Sequence, residues 1–358
     1  MELGELFIKA NRYDEAVALY RDIIAREDHN EAARIALVHV YLLQKKDSQA
    51  LDELKRLRAV VDQPQRVDLT IARLYAKQKH FGKAIAITEQ ILARENLSEA
   101  RFFLAVLHAQ GKNYRQALDQ IRRIGREAPE FADALSLEVR ILREQDRVDE
   151  AVQRIEEKLT TTDGVRNPEL YTMLAGLHQQ EGRDELTRKA LLRGLEEFPE
   201  DENLLYEYGL LLENGGDHAG ALQVMEKIIE LKPDHAAALN FVGYSWADDK
   251  VHLDKALDYI QRAIGLKPDN GYIRDSLGWV YFRLGRIDEA IRELEAAVRL
   301  SPDDPAILEH LGDVYLEAGR ERQALETYRK ALRLKPENEA ERQRIEEKVR
   351  IIEKQGGQ

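Results

Sequence analysis

The most constraining feature of this sequence is a 34-residue segment that occurs twice in succession near the C-terminus. Residues 271–304 have the pattern of two short amphipathic helices, and Pro302 ends the second one because proline cannot continue a helix. The next 34 residues, 305–338, place the same residue types at the same offsets. A two-helix unit repeated in this way predicts a stack in which each unit buries its apolar face against the next.

The period extends through the whole chain when it is followed from the small residue on the second helix of the unit. Nine of ten equivalent positions hold alanine, at spacings of 33 to 36 residues: Ala16, Ala50, Ala84, Ala117, Ala151, Thr187, Ala221, Ala256, Ala290 and Ala324. Twelve or thirteen residues earlier, each unit has glycine, alanine or valine, as at Gly278 and Gly312. Two helices approach to about 8–10 Å only where the residues at their crossing are small. The sequence therefore predicts ten helix pairs that cross at these positions.

This motif resembles the tetratricopeptide repeat, a 34-residue helix–turn–helix unit. The resemblance covers residues 1–338 and is strongest in the last four units, where residues such as Leu277, Gly278, Tyr281 and Ala290 carry it. It implies an all-α fold, a right-handed superhelix (α-solenoid) of about ten repeats. In this family the first helices of the units line a concave groove.

The chain divides into three parts along this register. Residues 1–167 hold the N-terminal units, and because the first of them lacks its opening residues we expect the natural protein to continue upstream. Residues 168–338 hold the C-terminal units. Residues 339–358 are predicted to form a charged capping helix and a tail, because a terminal unit needs a polar outer face.

One region departs from the pattern. The stretch 160–164 is polar and rich in turn-forming residues, and the next unit has Thr187 where alanine is expected. Gly176 and Gly194 lie inside its helices, where each glycine costs about 0.5–1 kcal/mol relative to alanine. We therefore expect residues 160–195 to be the least stable part of the stack and to allow it to bend.

Composition excludes several classes of protein. The chain has no run of about 18 apolar residues, so the sequence predicts no membrane-spanning helix. It has no cysteine, which excludes disulfides, thiolate zinc sites and thiol nucleophiles. Charged residues make up 34% of the chain and the net charge is −12, with acidic and basic residues mixed throughout, which argues against nucleic acid as a partner.

No catalytic motif is present in the sequence. Residues 243–247, GYSWA, approach a nucleophile elbow, but Ser245 falls within a predicted helix instead of between a strand and a helix. The nine histidines are scattered, and no glycine motif for phosphate binding occurs. The sequence therefore predicts that the protein is not an enzyme and uses no cofactor and no metal.

The tetratricopeptide resemblance also indicates which side chains face the groove, because the second, fifth, ninth and twelfth positions of each first helix do so in that family. In the eighth and ninth units it gives six candidate partner-binding residues: Asn240, Tyr244, Tyr272, Asp275, Trp279 and Phe282. Aromatic residues dominate binding hot spots, and an amide or a carboxylate can pair with a peptide backbone. The alternative is that Trp279 and Phe282 pack between units and never meet a partner. A second candidate, an anionic or mixed ligand, involves Arg73, Arg140 and Arg143.

A narrower resemblance concerns residues 239–331. The segments LNFVGYSWAD, DNGYIRDSLGWVYFRLGR and EHLGDVYLEAG are similar to the C-terminal repeats of bacterial tetratricopeptide lipoproteins of the cell envelope. Some members of that group are scaffolds anchored in the outer membrane, and at least one type holds a periplasmic carboxyl-terminal processing protease near its substrates. The resemblance implies a periplasmic scaffold or adaptor that contacts the membrane only through an anchor upstream of Met1.

The function that follows is recognition of a protein or peptide partner in the concave groove. Two alternatives stay open, namely the recognition arm of a larger catalytic chain and a cytoplasmic regulator or secretion chaperone. A second copy of the chain is a further candidate partner, because groove surface that is left over in repeat proteins can receive one.

Overall fold

The computed structural model describes residues 1–160, 167–334, 336 and 338–355, and every regular element among them is an α-helix. In chain order these helices are α1 (Glu2–Lys9), α2 (Tyr13–Arg26), α3 (Glu31–Leu43), α4 (Asp47–Leu57), α5 (Pro64–Lys77), α6 (Phe81–Arg94), α7 (Ser98–Gln110), α8 (Tyr114–Arg122), α9 (Phe131–Glu144), α10 (Val148–Leu159), α11 (Pro168–Gln180), α12 (Asp184–Glu197), α13 (Glu202–Asn214), α14 (His218–Leu231), α15 (Ala236–Asp248), α16 (Leu253–Leu266), α17 (Gly271–Arg283), α18 (Ile287–Leu300), α19 (Pro305–Glu317), α20 (Glu321–Arg333) and α21 (Glu339–Gln355). None of these described helices has both the length and the apolar character that crossing a membrane requires.

The helices form two compact units, Met1–Gly164 with α1 to α10 and Val165–Gln358 with α11 to α21. Within each unit, consecutive helices pack as pairs, for example α3 with α4 and α17 with α18. Successive first helices also touch, as α15 does with α17 and α17 with α19. The predicted all-α solenoid of stacked helix pairs is therefore confirmed within each unit.

Small residues allow the helices of each pair to approach, as the period predicts. All nine alanines of the repeated position are fully inaccessible to solvent, and Thr187, which replaces alanine in the sixth pair, is also buried. A Cβ atom added to Gly312 would overlap the ring of Tyr328, and one added to Gly4 would overlap the ring of Tyr20. Tyr20 and Tyr328 lie four residues after the repeated alanine of their helices. Tyrosine occurs at this position only in pairs whose first helix has glycine opposite it. The two tyrosines therefore fit because the facing residue has no side chain.

The turn between the two helices of a pair contains a residue with positive φ in all ten pairs that the structure describes. Glycine holds this position in four pairs, at Gly182, Gly216, Gly285 and Gly319. Glycine has no Cβ atom to clash in that conformation. In the other six pairs the residue is Asn11, Lys45, Lys79, Lys112, Asp146 or Lys250. The turn geometry is thus common to the pairs even where the sequence lacks its usual glycine.

Side-chain caps set the first residues of the helices that carry the candidate site. Asn270 Oδ1 accepts hydrogen bonds from the backbone N–H groups of Tyr272 at 3.0 Å and Ile273 at 3.1 Å. Asp304 Oδ1 accepts one from Ile307 N–H at 3.0 Å. A cap of this kind stabilises a helix by about 1 kcal/mol. These two caps fix where α17 and α19 begin and therefore which side chains they direct into the groove.

Helix α21 closes the C-terminal unit, as predicted for a capping helix. Ile345 and Ile352 are buried against α19 and α20, while the opposite face of α21 is charged and exposed. Arg344 donates two hydrogen bonds of 2.7 Å to the buried carboxylate of Glu309. Lys348 bonds to the same carboxylate and to Asp313, each at 2.6 Å. The cap is thus held by an apolar stripe and by ion pairs beside it.

The region expected to be soft is only partly described, since residues 161–166 lie outside the described part of the chain. Gly194 has a packing role in addition to the helix-propensity cost expected of it. A Cβ atom there would lie 2.8 Å from Tyr171 Cβ and 2.9 Å from Leu204 Cδ2. Gly194 is therefore a close-packing position between helices. Gly176, in contrast, has open space around its Cα atom.

Candidate functional site

Four of the six predicted site residues line one pocket in the C-terminal unit. Asn240 and Tyr244 lie on α15, and Tyr272 and Asp275 lie on α17. The pocket has a volume of about 430 Å³. The rest of its wall is formed by Tyr206 of α13, Phe241 of α15, and Ala306 and His310 of α19. We call this cavity the groove pocket. All of its helical walls are first helices of their pairs, which is the face where the tetratricopeptide resemblance placed the site.

The floor of the groove pocket is an acid–imidazole pair that joins two neighbouring repeats, α17 of one and α19 of the next. His310 Nδ1 lies 3.0 Å from both carboxylate oxygens of Asp275. Both side chains are largely buried, with exposed fractions of 17% for His310 and 11% for Asp275. Because Asp275 is engaged with His310, its first role is to join α17 to α19, and a ligand would share this carboxylate with the imidazole.

Trp279 supports the pocket from behind and does not line it. Its exposed fraction is 6%, and its ring stacks on His310 with centroids 4.3 Å apart and planes 24° apart. Trp279 Nε1 donates a hydrogen bond of 3.2 Å to Asp248, and the guanidinium group of Arg283 lies 4.5 Å from the Trp279 ring. Phe282 is partly buried, and its ring centroid lies 5.1 Å from that of Trp279. The contacts of Trp279 with His310 and Asp248 join neighbouring repeats, which is the packing that the alternative prediction described for Trp279.

Tyr272 is the most exposed of the six residues, with 61% of its surface accessible. Tyr244 is mostly buried beside it, with its ring centroid 6.2 Å from that of His310. Burial raises the pKa of the Tyr244 phenol, and the carboxylates of Asp248 and Asp275 raise it further. Tyr244 is therefore a neutral hydrogen-bond donor at any physiological pH, while Tyr272 offers an apolar ring at the mouth.

Sequence reasoning missed His310 and Tyr206, both of which line the pocket. A signal for His310 exists in the sequence, because several acidic residues have a basic partner 35 positions later, in the next unit. Four such pairs are joined by hydrogen bonds, namely Asp248–Arg283, Asp275–His310, Glu309–Arg344 and Asp313–Lys348. A search of the sequence for acidic and basic residues separated by 35 positions, one repeat and one residue more, would have found the Asp275–His310 pair.

The described residues contain no group of three or more His, Asp or Glu side chains arranged to hold a metal ion. Ser245, the residue nearest to an elbow motif, lies inside α15 as the repeat register predicts. Of the arginines proposed for an anionic ligand, Arg73 pairs with Glu99 at 2.8 Å and also lies over the ring of Phe103. Its guanidinium group is thus already engaged within the N-terminal unit.

We expect His310 to make the C-terminal unit more stable in mild acid than in base. Burial lowers the pKa of the imidazole, but attraction and hydrogen bonding by Asp275, with Asp313 and Glu309 adding to it, raise the pKa overall. A pKa that is higher in the folded chain adds stability that is complete below the unfolded value of about 6.5 and disappears as pH rises through the folded value. Melting temperatures of the wild type and His310→Gln should therefore differ more at about pH 5.5 than at about pH 8.5.

The matched control for this prediction is His29→Gln, which alters an exposed histidine in the other unit. Its difference from the wild type should be small at both pH values. An equal His310→Gln difference at the two pH values would mean that the Asp275–His310 pair does not depend on protonation.

Comparison with known proteins agrees with the repeat register. A family model described as tetratricopeptide repeat matches residues 69–129, 174–236 and 276–339, and a second model with the same description matches residues 7–74. A curated relative, TPR repeat-containing protein PA4667 of Pseudomonas aeruginosa, is 33% identical over 188 residues, which is 52% of this chain and 32% of the relative. The chain therefore spans about a third of that relative's length.

Two solved structures have partial similarity to the chain. MamA 41-end from Desulfovibrio magneticus RS-1 is 24% identical with a TM-score of 0.41, over 47% of this chain and 94% of that one. TTC0263, a thermophilic TPR protein in Thermus thermophilus, is 25% identical with a TM-score of 0.43, over 51% of this chain and 98% of that one. The family assignment depends on the sequence match, which covers more than half of the chain. This chain belongs to the tetratricopeptide repeat family.

Proposed function

We propose that the chain is a non-catalytic adaptor that binds an extended segment of a partner protein in the groove pocket. Proteins of this family generally serve as scaffolds for protein interactions. The observation that carries the proposal is the exposed ring of Tyr272 at the mouth of a cavity whose helical walls are all first helices of their pairs. Preformed, mostly apolar cavities with a few polar groups are the usual form of a binding site.

The chemistry of the walls suits a peptide segment. Tyr272 and Tyr206 offer ring surface, and the hydroxyl group of Tyr244 and the amide of Asn240 offer polar atoms between the rings. A peptide has an apolar side chain and backbone polar groups within the span of one residue, so both kinds of surface can be used together. Trp279 acts behind the wall by holding His310 in place, and it need not touch the partner.

The biological setting proposed here is the bacterial cell envelope. The chain would support envelope assembly, or it would tether a protease or another enzyme near its substrates. The support for this is the resemblance of residues 239–331 to envelope lipoproteins. Fractionation of cells that express the native-length protein tests the location, and recovery of the protein in the cytoplasm alone would favour a cytoplasmic regulator.

Tyr272→Ala is expected to weaken partner binding about thirtyfold, which corresponds to the ~2 kcal/mol of a hot-spot aromatic residue. Its effect on folding should stay within about 0.5 kcal/mol because the side chain is exposed. The measurement is retention of the partner on the immobilised native-length protein. Phe81→Ala, which removes an exposed aromatic ring from the N-terminal unit, is the matched control and should bind normally.

Site-specific photo-cross-linking gives an independent readout of the same groove. Benzoylphenylalanine placed at position 272 should form an adduct with the partner, whereas the same group placed at position 81 should not. Equal adduct formation at the two positions, or normal partner retention by Tyr272→Ala, would show that the partner binds elsewhere on the chain.

A further inference from the structure

Four aromatic side chains from three helices surround the groove pocket. Tyr206 lies on α13, Phe241 and Tyr244 on α15, and Tyr272 on α17. The face of an aromatic ring carries partial negative charge and attracts an ammonium or guanidinium group within about 6 Å. Rings that surround a cavity on several sides therefore favour a cationic ligand over a neutral one of the same shape.

The pocket also lies in a strongly acidic part of the chain. Val165–Gln358 contains 27 Lys and Arg against 38 Asp and Glu, and residues 201–250 contain three Lys against ten Asp and Glu. Two of those three lysines are already bonded, Lys232 to Glu202 at 2.7 Å and Lys227 to the carbonyl of Pro199 at 2.9 Å. Such a charge distribution raises the local concentration of positively charged partners.

Carboxylates near the pocket act on two of its phenols, although burial has the larger effect on both. Burial raises the pKa of the Tyr206 phenol, and the carboxylate of Glu207 raises it further. At Tyr244, burial acts together with Asp248 and Asp275 to raise the pKa in the same way. Carboxylates that oppose ionisation of two phenols would favour a cation placed between them.

Two hydrogen-bond acceptors belong to residues of the pocket wall. Asn240 Oδ1 is shielded from water and accepts no hydrogen bond from the described residues, an unfavourable state that an N–H donor from a ligand would relieve once the amide turns toward the cavity. The carboxylate of Asp275 accepts from His310 Nδ1 and keeps lone pairs for a second donor. Both acceptors belong to the helices that carry Tyr244 and Tyr272.

Of three basic side chains near the pocket, two are already paired with carboxylates. The imidazole of His310 is bonded to Asp275, and the guanidinium group of Arg283 is bonded to Asp248 behind Trp279. The side chain of Lys267 lines the rim, but it is exposed, and its long stem lets the ammonium group stay in water.

We propose that the groove pocket binds the guanidinium group of an arginine side chain in the partner segment. This inference rests on the proposed groove function and adds the chemical class that the groove recognises. Arginine fits better than lysine because its planar group stacks on aromatic faces and has five N–H donors, enough to reach Asn240 and Asp275 together.

The test compares two peptides that differ in one charge. The probes are acetyl-Ala-Ala-Arg-Ala-Ala-amide and the same peptide with citrulline, which has nearly the same shape but is neutral. Titrated into the full chain and followed by NMR, the arginine peptide should bind about tenfold more tightly than the citrulline peptide. Raising the salt concentration should reduce this preference.

Variants locate the binding to the pocket. Tyr206→Leu and Tyr244→Leu should each remove most of the preference for arginine, and the first of these keeps the assay valid if the second destabilises the fold. Phe81→Leu is the control and should keep the preference. Equal affinity for the two peptides, or no arginine binding at millimolar concentration, would overturn the inference.

The outcomes separate this inference from the proposed function. If both peptides bind equally and Tyr272→Ala weakens both, the groove binds peptides but does not select arginine. If the cross-linker at position 272 captures no partner, the groove function itself is wrong.

Discussion

Trp279→Ala should destabilise the C-terminal unit by about 3–5 kcal/mol, the usual cost of truncating a buried tryptophan. The variant loses the stacking on His310, the hydrogen bond to Asp248 and the surface that Arg283 covers. It also leaves a space behind the pocket floor. Denaturant unfolding measures the loss, and hydrogen exchange should show that it concentrates in α17 and α19.

Two further variants separate stability from recognition at this position. Tyr272→Ala removes an exposed ring from the same helix and should unfold within about 0.5 kcal/mol of the wild type. Trp279→Phe keeps a ring against His310 and should restore part of the stability that alanine loses. If Trp279→Ala unfolds like the wild type, the tryptophan is not the support that its contacts indicate.

Gly312→Ala should destabilise the tenth helix pair by about 1–3 kcal/mol, the typical cost of overpacking. The added methyl group would overlap the ring of Tyr328, which cannot move freely because its hydroxyl group donates a 2.5 Å hydrogen bond to Asp313. The ring, the glycine helix or both must shift. Denaturant unfolding again provides the measurement.

Gly176→Ala is the matched control, because the substitution and the helical setting are the same but nothing apart from the adjoining residues and the backbone of its own helix lies within 4 Å of the new methyl group. It should stabilise the chain by about 0.5–1 kcal/mol through its helix propensity. The two substitutions are thus expected to have opposite signs. Equal effects would mean that helix propensity, and not the close approach of Tyr328, determines the result at Gly312.

The sequence was sufficient for features that depend on neighbours within one repeat. Ala290 and Gly312 could be assigned to helix crossings because a small residue at a fixed offset has a steric cause that is the same in every unit. Lys79 and Asp146 were not expected in the left-handed region, because in those turns the backbone geometry of the pair overrides the residue's own preference. Patterns within one repeat thus predicted where the helices cross, but not which residues adopt positive φ in the turns.

The candidate site was harder to predict because it depends on residues about one repeat apart. The register placed both Tyr272 and Trp279 on the groove side, but their exposures differ tenfold, 61% against 6%. What covers Trp279 is His310, 31 residues later in the sequence, and Arg283. A motif for a single repeat contains no information about the side chains of the next repeat. It therefore could not show that Trp279 is buried while Tyr272 is exposed.

The acid–base pairs at a separation of 35 residues mean that the repeats are not interchangeable. If residues 271–304 were excised, the tenth pair would follow the eighth, and Glu317 would take the place of Arg283 opposite Asp248. Two carboxylates would then meet, and His310 would have lost Asp275. The order of the repeats in the C-terminal unit is therefore fixed by charge as well as by packing, and removing one repeat there carries an electrostatic cost even where the apolar contacts are preserved.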